Sequence, residues 1–568
     1  MDYLERYHDW LEHAPLNAEE HAALAAMRED ADALKSAFGA ELAFGTAGIR
    51  GIMGLGTNRL NEFTVRRTAQ GLAAWLTGTD LPQKCAIGYD SRHNSRRYAE
   101  ICAVALAERG VHGYVYHELA PTPMLSFAVR QLGCGCGIVV SASHNAGAYN
   151  GIKCYGPDGC QMTDEPAAIV YDEIERIPYF VPAKQSFDFS MASRTVEFIE
   201  PALWERYYET VLNERLASTP SDNLNLLYTP LCGTGNKPVR TVLGRIGVNV
   251  DVVKVQEQPD GDFKTCEYPN PETDAALNES YKLARETHPD LILGTDPDCD
   301  RVAVAVPEGD GFRKLTGNEL GCLLLDYILG ELTAQGRLPA DPVAVRSIVS
   351  TPLADKVAAK YGVKMRSVLT GFKYIGGEIL ALEEKGEENR FVFGFEESCG
   401  YLKGTYARDK DAVVASMLTC DLAAKLKRKG MNLAQKMDAL YAELGWHEAR
   451  VISIELKGPN AMELSAQFMA NFRAHTPTAL CGIAVTEMTD YAARTTKNCQ
   501  TGALTPVTLP KSNVVSLALG EQGSVIVRPS GTEPKVKLYL TAVDRDKSKA
   551  LALLDGLAQE LAAFAPKQ

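Results

Sequence analysis

Along the chain, short apolar runs alternate with longer segments whose apolar positions recur at helical spacing. An early stretch, NAEEHAALAAMREDADALKSAFG, is rich in Ala, Leu and Glu and ends near a glycine, which predicts a helical extension. CAIGYD then reads as a strand, RRYAEICAVALAERG as a helix closed by glycine, VHGYVY as a strand, TPMLSFAVRQLG as a helix and GIVVSAS as a strand. That order predicts a parallel sheet covered by helices. It returns twice. LNLLYTPL, NKPVRTVLGRIG, VDVVKVQ, DAALNESYKLARETH and LILGTD form a second set, and VAVRSIVS, PLADKVAAKYG, MRSVLTG, KYIGGEILALEEKG and RFVFGFEES a third. The tail departs from this order. ARVISIEL, a helix around AMELSAQFMANFRA, the strands SVIVRPS and KVKLYLTAV and a last helix KSKALALLDGLAQELAAFA predict an α+β unit.

A chain of 568 residues with this patterning suits several domains of ordinary size. Hydrophobic residues at 46% and charged ones at 23% exclude disorder over most of its length. The formal net charge of -13 argues against a nucleic-acid binder, which needs a basic stripe, while leaving room for a small anionic ligand held by local basic residues. The 14 cysteines are scattered, several of them inside apolar runs, as expected of reduced thiols. Cys134 and Cys136 lack the second Cys or His pair that a zinc site needs. No apolar stretch approaches a membrane span, and MDYLERYHDWLEHAP lacks a signal-peptide core, so a cytoplasmic location is expected.

In open α/β sheets ligands gather at the carboxyl ends of strands. The unusual polar motifs sit there: SASHN after GIVV, TDPDCDR after LILG and GFEES after RFVF. In TDPDCDR, Asp296, Asp298 and Asp300 alternate, which in an extended segment puts them on one side. Three carboxylates so placed repel unless a cation lies between them, and hard oxygen donors favour Mg²⁺; a solvated acidic turn is the plainer alternative. In RPSGTEPKVKLY, Arg528, Ser530, Thr532 and Lys537 surround Gly531, as a phosphate cradle or an ordinary turn would. GFEESCGY offers carboxylates and a hydroxyl to a polyol, or caps a helix. Arg408 and Lys410 in RDKDAV read alone as a solvated charge cluster, and FGTAGIRGIMG, with Arg50, reads alone as a glycine-rich loop.

Taken in order, GTAGIRG, SASHNAGAYNGIK, GTDPDCDR, TGFKYIG, GFEESCGY and RPSGTEPKVKLY resemble the α-D-phosphohexomutase superfamily, and the overall pattern resembles its phosphoglucomutase branch. The resemblance spans about residues 40 to 540. It implies an α/β fold of four domains around a central cleft, three related βαβαβ-type domains and a smaller C-terminal α+β domain. Expected spans are 1–210, 211–320, 321–445 and 446–568. It implies that Ser143 is carried as phosphoserine and that Asp296, Asp298 and Asp300 hold one Mg²⁺ with a phosphoserine oxygen. Glu396 and Ser398 would meet sugar hydroxyls, while Arg528, Ser530, Gly531, Thr532 and Lys537 would hold the non-reacting phosphate. Arg50, His144, Lys153, Arg301, Gly371, Lys373, Arg408 and Lys410 match positions lining the cleft. Lys153 and His144 are the candidates for general base. The implied reaction interconverts glucose 1-phosphate and glucose 6-phosphate through a bisphosphate, with a sugar bisphosphate such as glucose 1,6-bisphosphate as activator. The expected partners are phosphosugars, with no nucleic acid or membrane, and the chain is a monomer or homodimer.

Two departures stand out. Where the family's serine loop commonly reads Thr-Ala-Ser-His-Asn-Pro, this chain has Ser141 and Ala146; the hydroxyl survives and the rigidity of proline is lost. Cys399 stands where an aromatic is frequent. Mannose or pentose phosphates, glucose 1,6-bisphosphate synthesis, and a binding-only regulatory role are the alternatives to a glucose-phosphate mutase.

Overall fold

The computed structural model describes residues 2–44, 48–456, 461–530, 535–562 and 564. Among the described residues four large sheets follow one another along the chain, three of them in α/β units, and a small two-stranded sheet, Ala479–Leu480 with Ile483–Ala484, lies in the tail. In the first, Cys136–Val140, Lys84–Tyr89, His112–Val115 and Val196–Phe198 run parallel, as the alternation of strand and helix predicts. The second has Leu291–Thr295, Asn225–Thr229 and Asn249–Val252 parallel, and the third has Lys364–Val368, Val343–Ser347 and Phe391–Glu396 parallel.

The sheets are mixed rather than wholly parallel, which corrects the expectation from strand order. In each unit the strand carrying the functional motif turns back on itself as an antiparallel pair. Tyr149–Tyr155 returns beside Cys136–Val140, Val302–Glu308 beside Leu291–Thr295, and Gly400–Leu402 beside Phe391–Glu396. A connection this short cannot cross over to a parallel partner, so it must close a hairpin. Each hairpin tip contains one non-glycine residue in the left-handed region: Ser143 at φ 52°, Cys299 at φ 53° and Cys399 at φ 66°. The three motif loops are thus the same device used three times.

The tail forms a seven-stranded antiparallel sheet backed by the helices Ala461–Ala474 and Lys547–Ala562. Four of its strands were not expected from the sequence: Val515–Ala518, and also Glu487–Asp490, Thr495–Asn498 and Leu504–Pro506, whose polar, largely exposed pattern carries little apolar alternation. The early helical stretch is likewise interrupted. Ala18–Ala26 gives way to a short 3₁₀ turn, and Asp30 then caps a new helix, Ala31–Phe38, by accepting from the N–H groups of Asp32 and Ala33. A preceding helix, Tyr3–His13, joins them, and Tyr7, Trp10, Leu24 and Phe38 pack against Phe63, Tyr179 and Phe180 of the first unit.

One apolar core binds the first three units together. It runs from Tyr116 and Trp204 through Leu226 and Val239 to Leu323, Phe395 and Leu418. At its centre the helix Gly317–Ala334 is buried on nearly every face, so it is held by packing rather than by an amphipathic stripe. A second apolar patch joins the tail sheet to the third unit: Tyr491, Val514, Ile526 and Tyr539 meet Ile348, Val349 and Leu369. No helix among the described residues is long and apolar enough to cross a membrane.

Leu324 lies at the middle of that central helix with no exposed surface. Leu324→Ala is expected to destabilise the molecule by about 2–5 kcal/mol, the usual cost of a core cavity. Urea unfolding followed by circular dichroism checks this; a loss below about 1 kcal/mol would contradict the shared core.

Candidate functional site

The three hairpin tips meet. Asp296, Asp298 and Asp300 are buried, and one carboxylate oxygen from each lies within 4.8 Å of the others. They converge because the segment is a tight turn, not the extended strand that alternation implied. Asp296 Oδ1 accepts the backbone N–H groups of Asp300 and Arg301, both at 3.0 Å, and folds the loop around itself. Lys153 Nζ stands 2.6 Å from Asp298 Oδ2 and 3.3 Å from Asp300 Oδ2, and Lys410 Nζ stands 3.2 Å from Asp300 Oδ2.

The charges are poorly balanced without a further cation. Burial and the neighbouring Asp298 and Asp300 push the Asp296 carboxyl well above the usual carboxylate range. Burial would raise the other two as well; Lys153 overcomes it at Asp298, and Lys410, Lys153 and Arg301 overcome it at Asp300, holding both low. Asp298 Oδ1 and Asp300 Oδ1 are buried and accept no hydrogen bond. Three carboxylates that offer hard oxygens this close together, two of them also holding an oxygen without a hydrogen bond, fit a small divalent cation.

Ser143 faces this cluster. Its Oγ donates to Asp296 Oδ2 at 2.9 Å and lies 3.2 Å from His144 Nδ1. Its N–H donates to Ser141 Oγ at 2.8 Å, and Ser141 Oγ donates in turn to Asp298 Oδ2. Burial, then Arg301 and Arg50, push the His144 imidazole well below its ordinary pKa. Burial works against the Lys153 ammonium, but Asp298 and Asp300 outweigh it and raise its pKa. Arg50 donates to Asn145 Oδ1 at 3.0 Å, which places its guanidinium beside the same loop. Arg301 is paired with Glu272 at 2.6 Å.

From the third unit, Glu396 accepts the N–H of Gly371 at 2.7 Å. Gly371 has φ 122°, a conformation that side chains rarely adopt, so glycine is needed to aim that donor. Ser398 sits half-buried on the turn that follows. Lys373 pairs with Asp164 of the first unit at 2.6 Å. Arg408 is not the solvated charge that its motif read alone suggests: it is wholly buried and bonds Glu383 and the carbonyls of Thr405 and Ala407. From the tail, Arg528 and Lys537 are register partners on adjacent strands. Burial lowers the Lys537 pKa, against the opposing pull of Glu272. The Ser530 N–H bonds Lys535 O. Gly531 and Thr532 lie outside the described residues.

Several residues of the site escaped the sequence. Glu272 holds Arg301, Thr122 donates to Asp298 Oδ2 at 3.2 Å, and Asp409 pairs with Lys410 at 2.9 Å. Arg92 lies under the serine loop and donates to four of its carbonyls. Its only sequence signal is an arginine just after a strand's carboxyl end, in a polar run that reads as loop. Glu397 turns away from Glu396 and accepts from Ser347 Oγ at 3.0 Å. Burial, then Glu396 and Glu272, push its pKa up to about 7. A cavity of about 1000 Å³ opens beside Glu397, Glu272 and Lys314, and neither Ser143 nor Asp296, Asp298 or Asp300 lines it.

Known proteins are similar to this chain over most of its length. The phosphoglucomutase/phosphomannomutase alpha/beta/alpha domains I, II and III match residues 41–179, 205–309 and 316–444, and the C-terminal domain matches 504–553. A phosphoglucomutase of Staphylococcus epidermidis is 36% identical over 510 residues, covering 88% of this chain and 90% of its own. A phosphoglucomutase of Staphylococcus aureus is 35% identical over 512 residues, covering 89% and 90%. The crystal structure of a putative phosphomannomutase from Thermus thermophilus superposes with a TM-score of 0.66 at 21% identity, covering 92% of this chain and 99% of that one.

Two outcomes are expected of this geometry. Mg²⁺ should raise the melting temperature of the wild type, a chelator should reverse the rise, and Asp300→Asn should abolish it; an equal rise in the variant would place the cation elsewhere. The raised Glu397 pKa means the folded state holds a proton that the unfolded chain releases first. That contribution is present in full below about pH 4.5 and is lost as pH rises through about 7. Glu397→Gln should flatten the decline in melting temperature over that window, and an unchanged slope would show that Glu397 is not its source.

Proposed function

Because the chain belongs to the phosphoglucomutase/phosphomannomutase family, we propose that it interconverts glucose 1-phosphate and glucose 6-phosphate, with Ser143 carrying the phosphoryl group that is exchanged. The observation that carries this reading is the position of Ser143 Oγ, 2.9 Å from Asp296 within the aspartate cluster, on a loop flanked by Lys153 and Arg50. A free serine hydroxyl is a weak nucleophile, but a phosphorylated serine is a donor, and in-line transfer depends on positioning and charge stabilisation.

The sugar hydroxyl attacks the phosphorus of phosphoserine, the new O–P bond forms, and the Ser143 Oγ–P bond breaks with its electron pair going to Oγ. The incoming hydroxyl, in line on the far side of phosphorus, gives its proton to a base of the cleft and Oγ takes one up as it departs; His144, with Nδ1 3.2 Å from Oγ, stands on the departing side. Lys153 and Lys410 supply positive charge around the moving group rather than accepting a proton, since both are engaged by carboxylates. A bound Mg²⁺ would be held by Asp296, Asp298 and Asp300 and would neutralise charge on the phosphoryl oxygens. The product is a sugar bisphosphate. After it reorients in the cleft, its other phosphoryl returns to Ser143 by the same chemistry reversed, and a free bisphosphate such as glucose 1,6-bisphosphate would load an unphosphorylated Ser143.

Glu396 and Ser398 are assigned to the sugar hydroxyls. Arg528, Ser530 and Lys537, with Gly531 and Thr532, are assigned to the phosphate that does not react. The electrostatic link of Lys537 to Glu272 and Glu397 supports a tail surface that faces the cleft. Ser143→Ala is expected to lower kcat on glucose 1-phosphate by at least about 10³-fold, as removal of a covalent catalyst does. Turnover compared on glucose, mannose and ribose 1-phosphates checks the substrate, and a strong pentose preference would overturn the glucose assignment.

A further inference from the structure

We propose that Arg92 is the positioning residue that holds Ser143 in its reactive geometry, an inference that rests on the mutase reading above. Its guanidinium is fully enclosed, and all four of its terminal N–H bonds are engaged by the serine loop. Nη1 donates to the carbonyls of Ala146 and Tyr149 at 2.8 and 3.0 Å, and Nη2 donates to those of Ser143, at 2.6 Å, and Asn145. Nε faces the buried Asp90 Oδ2 at 3.2 Å. Asp90 is itself fixed by the Arg92 N–H and by Ser95 Oγ at 2.7 Å. The second unit closes the arrangement from above: the Phe263 ring covers the guanidinium at 4.9 Å, and Gly147 packs so close to Gly261 that a Cβ there would lie 2.7 Å from the Gly261 carbonyl.

The clamp answers a specific need. Ser143 has φ 52°, and a left-handed non-glycine residue is strained and persists only where its surroundings over-determine it. Here both flanking peptide groups are pinned, the N–H by Ser141 Oγ and the carbonyl by Arg92. The clamp also explains how the loop keeps its shape with Ala146 in place of the family's usual proline. The Ala146 carbonyl is one of the four that Arg92 binds, so a hydrogen bond restrains the backbone where a ring otherwise would. Lysine cannot substitute, because an ammonium has three donors and no planar fork.

The test uses the full-length chain with Mg²⁺ and glucose 1,6-bisphosphate, and compares wild type, Arg92→Lys, Arg92→Gln, Ala146→Pro and the Arg92→Lys/Ala146→Pro double variant. Melting curves confirm folding, and Arg92→Lys keeps the charge beside Asp90 should Arg92→Gln fail to fold. Arg92→Lys is expected to lower kcat by about 10²-fold with KM changed by less than about threefold, the signature of a misplaced reacting group. In the Ala146→Pro background the same substitution should cost about tenfold less, because proline restrains the loop independently. Undiminished kcat in a folded Arg92→Lys, or a loss of the same size in both backgrounds, would overturn the proposal. Absence of turnover by the wild type would instead sink the mutase reading, and this inference with it.

Discussion

Three buried carboxylates within 4.8 Å of one another are the constraint on which the rest of the structure depends. Like charges in a low-dielectric interior repel unless something of opposite sign is built around them. Here that something comes from two other units: Lys153 from the first and Lys410 from the third. The aspartate loop is also tied to both by its backbone. Thr122 N–H bonds Asp298 O, Val302 N–H bonds Cys399 O, and Ala412 N–H bonds Cys299 O. Burying the carboxylates therefore requires the units to stay together, and the core that runs through them supplies the apolar area to do so.

The local solution is repeated. In each α/β unit a strand of the parallel sheet turns back at its carboxyl end, and the tip of the hairpin carries the chemistry. Ser143, Cys299 and Cys399 each take the left-handed conformation that so short a reversal demands. Because the tips come from equivalent places on related sheets, docking the sheets brings Ser143, the three aspartates and the turn after Glu396 together. The fourth sheet contributes differently. It meets the third unit through an apolar patch, Tyr491, Ile526 and Tyr539 against Val349 and Leu369, and Lys537 on that sheet feels the charges of Glu272 and Glu397.

Much of this was legible in the sequence because it rests on local signals. Apolar runs followed by SASHN, TDPDCDR and GFEES marked strand ends and their loops, and the aspartate spacing marked a cation site. What escaped was set by tertiary contact. Arg92, Glu272 and Asp409 are ordinary charged residues in polar runs, and only the fold brings them to the carbonyls, the arginine and the lysine they bind. Arg408 differs from its motif's expectation for the same reason: its buried side chain pairs with the partly exposed Glu383, a partner that only the fold brings to it. The convergence of the aspartates was foreseen with the wrong geometry, since alternation in a strand and a turn folded around Asp296 Oδ1 both bring them together.

The account stands or falls on Ser143 as the carrier of the exchanged phosphoryl group. The most direct measurement is a single-turnover experiment in which enzyme labelled with ³²P at Ser143 is mixed with excess unlabelled glucose 6-phosphate and Mg²⁺ and quenched on the timescale of one turnover. The label should leave Ser143 at least as fast as kcat and pass to the sugar through a hexose bisphosphate. Label that stays on the protein through many turnovers, or that is released at that rate as inorganic phosphate, would contradict the mechanism.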